Sequence, residues 1–262
     1  MTVTWEEFGW QGLTPRVGRC RLPGWDCTVG LVVGDGAALM IDAGSSLREG
    51  ARLRAEARRL LGGARVTHLA FTHPHFDHVF GAAAFAGVEV FGAVGVDGVL
   101  TDSRDALRAD AVHHGLPPTD AAEAADLLVR PRHRVSGEWT LDLGGGIQVL
   151  LANVGPGHTG HDLAVLVPGA PGTVGSTGAT GATGSAGVAG FPEVVFCGDL
   201  VEESGEPQAG PDAVPSRWPA ALDRLLDLGG EDALYVPGHG AVVDAAFVRA
   251  QRDALARRFD VS

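Results

Sequence analysis

The chain is short of positive charge: 20 Lys and Arg stand against 32 Asp and Glu in 262 residues, a formal net charge of −12. No sequence-wide basic field exists to draw phosphate backbones or anionic lipid, which argues against nucleic acid or a membrane surface as partner. Long apolar runs are missing too. No stretch approaches the ~20 apolar residues that a membrane span requires, and the N-terminus MTVTWEEFGWQGLTPRVGRC lacks the charged and apolar regions of an export signal. A soluble cytoplasmic protein acting on a small molecule is expected. Cysteine is scarce: Cys20, Cys27 and Cys197 are odd in number and lack zinc-finger spacing. They read as small buried hydrophobes in a reducing compartment, with a Cys20–Cys27 bridge the less favoured alternative.

What is present is an alternation of short apolar runs with amphipathic stretches. TVGLVV, AALMID, THLAFT and VEVFG read as buried strands, while 47–61, 97–110, 117–128, 217–228 and 244–259 carry helical periodicity with charged faces. LDLGGGIQVLLANV and HDLAVLVP read as a hairpin pair around a glycine turn, followed by the strand EVVFCGDL. The pattern implies a layered α/β protein with two βα halves in one domain, 1–262. Residues 169–192 are mainly Gly, Ala, Ser and Thr. That composition cannot offset its ordering entropy, so the segment reads as a flexible Gly-rich loop between two strands, a neutral expansion rather than a lid.

The stretch FTHPHFDHVFG, 71 to 81, places three histidines and an aspartate in six positions behind an apolar strand. Pro74 pushes His73 toward extended geometry, and residues two apart in an extended segment point the same way, so His73 and His75 can converge on one ion. Asp77 and His78, after the turn, can face a second. Imidazole and carboxylate suit zinc, iron or manganese at an exchangeable site. For a lone His-x-His an ordinary capped turn is the commoner explanation; His-x-His-x-Asp-His favours metal. Four donors cannot fill two coordination spheres, and the chain offers more: His158 in GPGHTGHD, Asp199 in FCGDL and His239 in YVPGHG, each at the exit of an apolar strand.

Taken in order, Asp42 in MIDAGSS, the His73 to His78 cluster, His158, Asp199 and His239 resemble the five motifs of the metallo-β-lactamase superfamily of metallohydrolases, in its general hydrolase branch. The resemblance implies a four-layer αββα sandwich with two divalent ions at the edge between the sheets: zinc first, with iron or manganese as alternatives. It implies that His73, His75 and His158 hold one ion, Asp77, His78 and His239 the other, and Asp199 bridges both. Asp42 would stand behind the ligands and support the His-rich loop. Asp77 and Asp199 are the residues expected to serve catalysis. β-Lactamases of the superfamily carry cysteine or serine near the place of Asp199, so antibiotic hydrolysis is not expected. Glyoxalase II-like relatives carry an added helical C-terminal domain, which this chain does not match; the nuclease branches use additional domains or basic exosites.

The implied activity is hydrolysis of an ester, lactone or thioester by a hydroxide held between two metal ions, without a serine or cysteine nucleophile. Two alternatives are an iron-dependent oxygenase or redox enzyme and a non-catalytic metal sensor on the same fold. His161 reads as a solvated turn residue and His68 as a satisfied strand residue. His113, His114 and His133 read as surface groups, although HHGLPP could border the groove. Cys197 reads as a core residue, and Trp5, Trp10 and Trp25 as packing against a sheet edge or walling a pocket.

Overall fold

Every residue of the run Val194–Glu202 is buried, and its side chains alternate between two cores. Val194 and Phe196 belong to one cluster with Leu31, Ile41 and Leu69, whereas Val195 and Cys197 belong to another with Trp218, Leu222 and Leu225. A strand with both faces buried needs a layer on each side, and this chain supplies a second sheet on one and helices on the other. The structure is a computed structural model describing residues 3–170 and 190–261.

The first sheet runs β1 (Gln11–Thr14), β2 (Val17–Arg21), β3 (Thr28–Val33), β4 (Ala38–Ile41), β5 (His68–Ala70), β6 (Glu89–Ala93) and β7 (His133–Val135), in that spatial order. β1 to β4 pair antiparallel, and β4 to β7 pair parallel. The parallel part needs crossovers, which are α1 (Leu47–Leu60), the single turn α2 (Phe76–Val79), and the trio α3 (Val96–Asp102), α4 (Arg104–His113) and α5 (Pro118–Asp126). Ser46 starts α1 by accepting from the Glu49 backbone N–H at 3.3 Å, and Leu53, Ala57 and Leu60 turn its apolar stripe inward.

The second sheet is built from β8 (Glu138–Asp142), β9 (Gln148–Asn153), β10 (Leu163–Val167), β11 (Val194–Glu202) and β12 (Leu234–His239), ordered β12-β11-β10-β9-β8. All pairs are antiparallel except β11 with β12, whose crossover contains α6 (Trp218–Gly229). α7 (Ala245–Arg258) follows β12 and packs beside α6, so helices cover the outer face of this sheet. Trp218 and Tyr235 are fully buried there with their polar tips satisfied, Trp218 Nε1 donating to Leu200 O at 3.0 Å and Tyr235 Oη to Gly230 O at 2.8 Å. The two sheets face each other across the larger cluster. Gly30 of β3 lacks a Cβ where one would overlap the Phe196 ring of β11, and this allows the ring to seat between the sheets.

The expected strands and the four-layer α/β class match this architecture; β7 was not among the expected strands, and three other points differ. The helix expected over 97–110 is two, breaking at Ser103; Ser103 N still bonds Val99 O and Leu107 N bonds Ser103 O, so the axis bends with its hydrogen bonds kept. The glycine turn joins β8 to β9, and β10 returns on β9 after the His158 turn. The hairpin β1–β2 was not expected. Of the Gly-rich loop 169–192, residues 171–189 lie outside the described residues; its flanks meet where Ala170 pairs with Phe191. No helix among the described residues is long and apolar enough to cross a membrane.

Candidate metal centre

Asp42 leaves β4 in the left-handed region, φ 61°, a conformation aspartate tolerates better than most residues. The turn aims its buried carboxylate at the next loop. Oδ1 accepts from Thr72 N at 2.8 Å, and Oδ2 accepts from Thr72 Oγ1 at 2.7 Å and lies 2.9 Å from His78 Nδ1. One carboxylate thus fixes both ends of the His-rich loop. Between them His75, extended at φ −84° and ψ 153°, caps α2, whose single turn carries Asp77 and His78.

The other donors arrive from the second sheet. His158 sits in the β9–β10 turn, Asp199 lies within β11, and His239 ends β12. Asp199 is the meeting point: its Oδ2 is 3.6 Å from His73 Nε2, 3.5 Å from His158 Nε2 and 3.3 Å from His239 Nε2, while its Oδ1 is 3.1 Å from His78 Nε2. Asp77 Oδ2 lies 3.3 Å from His239 Nε2 and 3.6 Å from His78 Nε2. His75 Nδ1 faces His158 Nε2 at 3.0 Å. All seven expected ligands are brought together.

Each imidazole has one nitrogen facing this centre and the other tied to an outer partner. His73 Nδ1 is 3.0 Å from Thr72 Oγ1, His78 Nδ1 meets Asp42, and His75 Nε2 is 3.0 Å from Asp212 Oδ2. His158 Nδ1 is 3.1 Å from Gln208 O and His239 Nδ1 is 2.7 Å from Trp25 O. Such outer contacts set the tautomer, leaving the inner nitrogen of a neutral ring free to donate its lone pair.

Electrostatics divides the centre. Burial holds His73 well below its ordinary pKa and pushes His158 down to about 4, so both rings are neutral. His239 goes the other way: burial opposes charge, but Asp199 and Asp77 outweigh it and push the ring up to about 12. His78 is likewise raised, with burial overcome by the carboxylates of Asp199, Asp77 and Asp42 around it. Asp199 is held well below the carboxylate range despite its burial, by the charged rings of His78 and His239. His75 is raised as well, burial being outweighed by Asp212 first, so buried carboxylates are balanced by protons on histidines that stand where cations could.

The donor set fits divalent metal on a structural observation. His73 Nε2 and Asp199 Oδ1 are buried polar atoms with no hydrogen-bond partner, a costly state unless a ligand completes them. The ligand-capable atoms of His73, His75, His158 and Asp199 lie within 4.8 Å of one another, as do those of His78, Asp199 and His239; Asp199 belongs to both groups.

Sequence reasoning missed three neighbours. Cys27 is buried with Sγ 3.3 Å from Asp77 O and 3.8 and 3.9 Å from the two His78 ring nitrogens, its thiol pushed up to about 11 by burial. Asp212 holds His75 and the Gln208 carbonyl holds His158; both stand on the long loop before α6, where GPDAVP resembles any turn. His161, expected as a solvated turn residue, instead bonds Val94 O at 2.9 Å through Nδ1 and lines the groove over the centre. His113 and His114 are exposed and border the same groove, as does Trp25, while Trp5 and Trp10 are packed inside. His68 bonds Thr67 Oγ1 at 2.8 Å, and His133 pairs with Glu89 at 2.7 Å. All three cysteines are free and buried, and Cys197 packs in the outer core of the second sheet.

Known proteins share the family and the fold. Residues 22–239 match the model of the metallo-beta-lactamase superfamily. A metallo-beta-lactamase from Pontibacter korlensis superposes with a TM-score of 0.65 at 19% identity, covering 94% of this chain and 97% of that one. The metallo-beta-lactamase FIM-1 from Pseudomonas aeruginosa, in its mono-zinc form, gives 0.63 at 17% identity, covering 100% and 98%. DIM-1 metallo-beta-lactamase gives 0.66 at 15%, covering 95% and 97%. At these identities the likeness concerns the fold. No curated protein matches the chain.

Proposed function

Because the chain belongs to the metallo-beta-lactamase superfamily, we propose that it is a metal-dependent hydrolase cleaving an ester, lactone or thioester of a small molecule. In this reading His73, His75 and His158 hold one divalent ion, Asp77, His78 and His239 hold a second, and Asp199 is shared. The observation that supports it most is the position of Asp199, a buried carboxylate with one oxygen toward His78 and the other toward His73, His158 and His239.

Two divalent ions, when bound, supply Lewis acidity toward the scissile carbonyl and acidify water toward neutral pH. The chain's own groups orient and exclude. Asp42, Asp212 and the carbonyls of Gln208 and Trp25 hold the rings so that each presents one nitrogen inward. Asp77, beside His239, would take a proton from the attacking water and pass it to the departing alkoxide or thiolate as the acyl C–O or C–S bond breaks. Cys27, buried and with its pKa raised to about 11, is unsuited to act as a nucleophile. Zinc is the ion we assign first, given imidazole and carboxylate donors, and free buried thiols suit a cytoplasmic setting.

The test is a screen of metal-loaded protein on aryl esters, thioesters, lactones and a chromogenic β-lactam, with oxygen consumption followed in parallel. Asp199→Asn, which keeps size but removes charge, is expected to lower turnover by ~10²–10³ or more and to weaken one metal site. Near-wild-type turnover by that variant with both ions bound defeats the assignment; oxygen consumption in place of hydrolysis defeats the hydrolase reading.

A further inference from the structure

The groove over the centre, about 1040 Å³ in volume, mixes apolar and acidic lining, with Asp110 on the same helix as Ala106 and Leu107. Val99, Ala106 and Leu107 on α3 and α4, with Trp25 and Phe76, supply the apolar part. Asp110, Glu202, Glu206 and Asp212 supply carboxylates. No lysine or arginine lines it. The sequence contains no lysine at all, and residues 1–2, 171–189 and 262, outside the described set, contain no arginine. No ammonium or guanidinium can therefore enter the groove short of moving one of the described arginines, and His113, His114 and His161 are its basic groups away from the centre.

The carboxylates have partners of limited strength. Asp110 lies 3.3 Å from His114, Asp212 faces His75, and Glu202 accepts from Ser204 Oγ at 2.6 Å. Glu206 is 3.2 Å from Arg258, which stands outside the groove. Asp77 and Asp199 would be neutralised as ligands; Asp110, Glu206 and Asp212 are not ligands, and burial pushes the Glu202 carboxyl toward its neutral form. That the groove receives a ligand rests on a separate observation: Asp199 lines its floor with Oδ1 buried and without a hydrogen bond, its ion contact being His78 Nε2 at 3.1 Å.

We propose, resting on the hydrolase reading above, that this groove takes substrates with an apolar acyl portion whose distal end is neutral or cationic, and discriminates against substrates carrying a distal carboxylate, phosphate or sulfate. An anion seated there would give up hydration with no ammonium or guanidinium to replace it, beside the carboxylates of the lining. A distal ammonium finds acceptors at Asp110 and Glu206, and an alkyl chain finds the α3 and α4 wall.

The discriminating experiment uses three p-nitrophenyl esters of matched length on the zinc-loaded protein: that of hexanoic acid, that of 6-aminohexanoic acid, and the monoester of adipic acid. The expected kcat/KM for the carboxylate-bearing ester is at least tenfold below the other two, and Asp110→Lys narrows that gap severalfold while Asp110→Asn narrows it less. The matched hydroxamic acids, whose affinities are read by calorimetry, give a readout independent of turnover. The same charge order in binding with no ester hydrolysed upholds the groove's selectivity and defeats the hydrolase reading alone. Equal affinities and rates across the three charges, a preference for the anion, or no binding by any hydroxamate overturns the inference.

Discussion

Gly238 stands directly against Asp199: a Cβ on Gly238 would overlap Asp199 Oδ1 and crowd the Asp199 backbone N–H. The shared carboxylate of β11 can occupy the centre because its parallel neighbour β12 carries no side chain beside it. Gly238→Ala is expected to displace Asp199, lowering metal stoichiometry from two ions toward one and turnover by at least 10², with roughly 1–3 kcal/mol of stability lost to overpacking. Metal content and thermal unfolding measured together check this. Two ions bound at unchanged affinity would show that the carboxylate has room to yield.

Asp42→Asn replaces one carboxylate oxygen with an NH₂ group opposite Thr72 and His78 Nδ1. Asparagine also tolerates φ 61°, so backbone strain does not confuse the result. His78 would lose the acceptor that keeps its proton on Nδ1, and metal affinity is expected to fall about 10- to 100-fold with the fold retained. Competition with a calibrated chelator gives the number; an unchanged affinity removes Asp42 from the set of supporting residues.

The metal-free centre stores protons on His78 and His239, both raised in pKa. Ligation requires neutral imidazole, so metal uptake near pH 7.5 is expected to release protons from the centre. Calorimetric titration in buffers of different ionisation enthalpy reads the count. Binding heats independent of buffer would contradict it.

Asp162 is buried, and burial pushes its carboxyl up to about 7 even though Thr159 donates from N at 3.0 Å and from Oγ1 at 2.7 Å. Its folded pKa lies above the unfolded value, so between pH 4 and 7 the folded chain binds the extra proton. Stability from this group therefore declines as pH rises through that window, and the cost is complete above pH 7. Asp162→Asn stays neutral throughout, so its stability relative to the native chain should grow from pH 4 to 8, by roughly 4 kcal/mol at most. Denaturant midpoints of the metal-free proteins at several pH values test it; a difference flat with pH would mean that the Thr159 donors keep the carboxylate charged.

The donors were legible because each repeats one local device, an apolar strand followed by a polar residue and a turn, and that device survives in sequence as His73, His158, Asp199 and His239 do. Their supporters were not. Asp212 meets His75 across 137 positions, and Cys27 reaches His78 across 51, through contacts that only the packed fold creates. The break at Ser103 was invisible because Val96, Leu100, Leu107 and Ala111 keep a near-helical spacing through it, all of them buried. The hairpin β1–β2 escaped because QGLT shows no alternation, and β7 because three residues carry no period at all.

The two sheets are consecutive in the chain, the first ending at Val135 and the second beginning at Glu138. His73, His75, Asp77 and His78 ride on the first; His158, Asp199 and His239 ride on the second. The centre is therefore a gauge of how the two slabs sit on each other. A methyl group added at Gly30 would press on Phe196, three residues before Asp199, and shift one set of donors against the other. Metal affinity should then respond to substitutions deep between the sheets that touch no ligand, and an inventory of functional positions confined to the groove would overlook them.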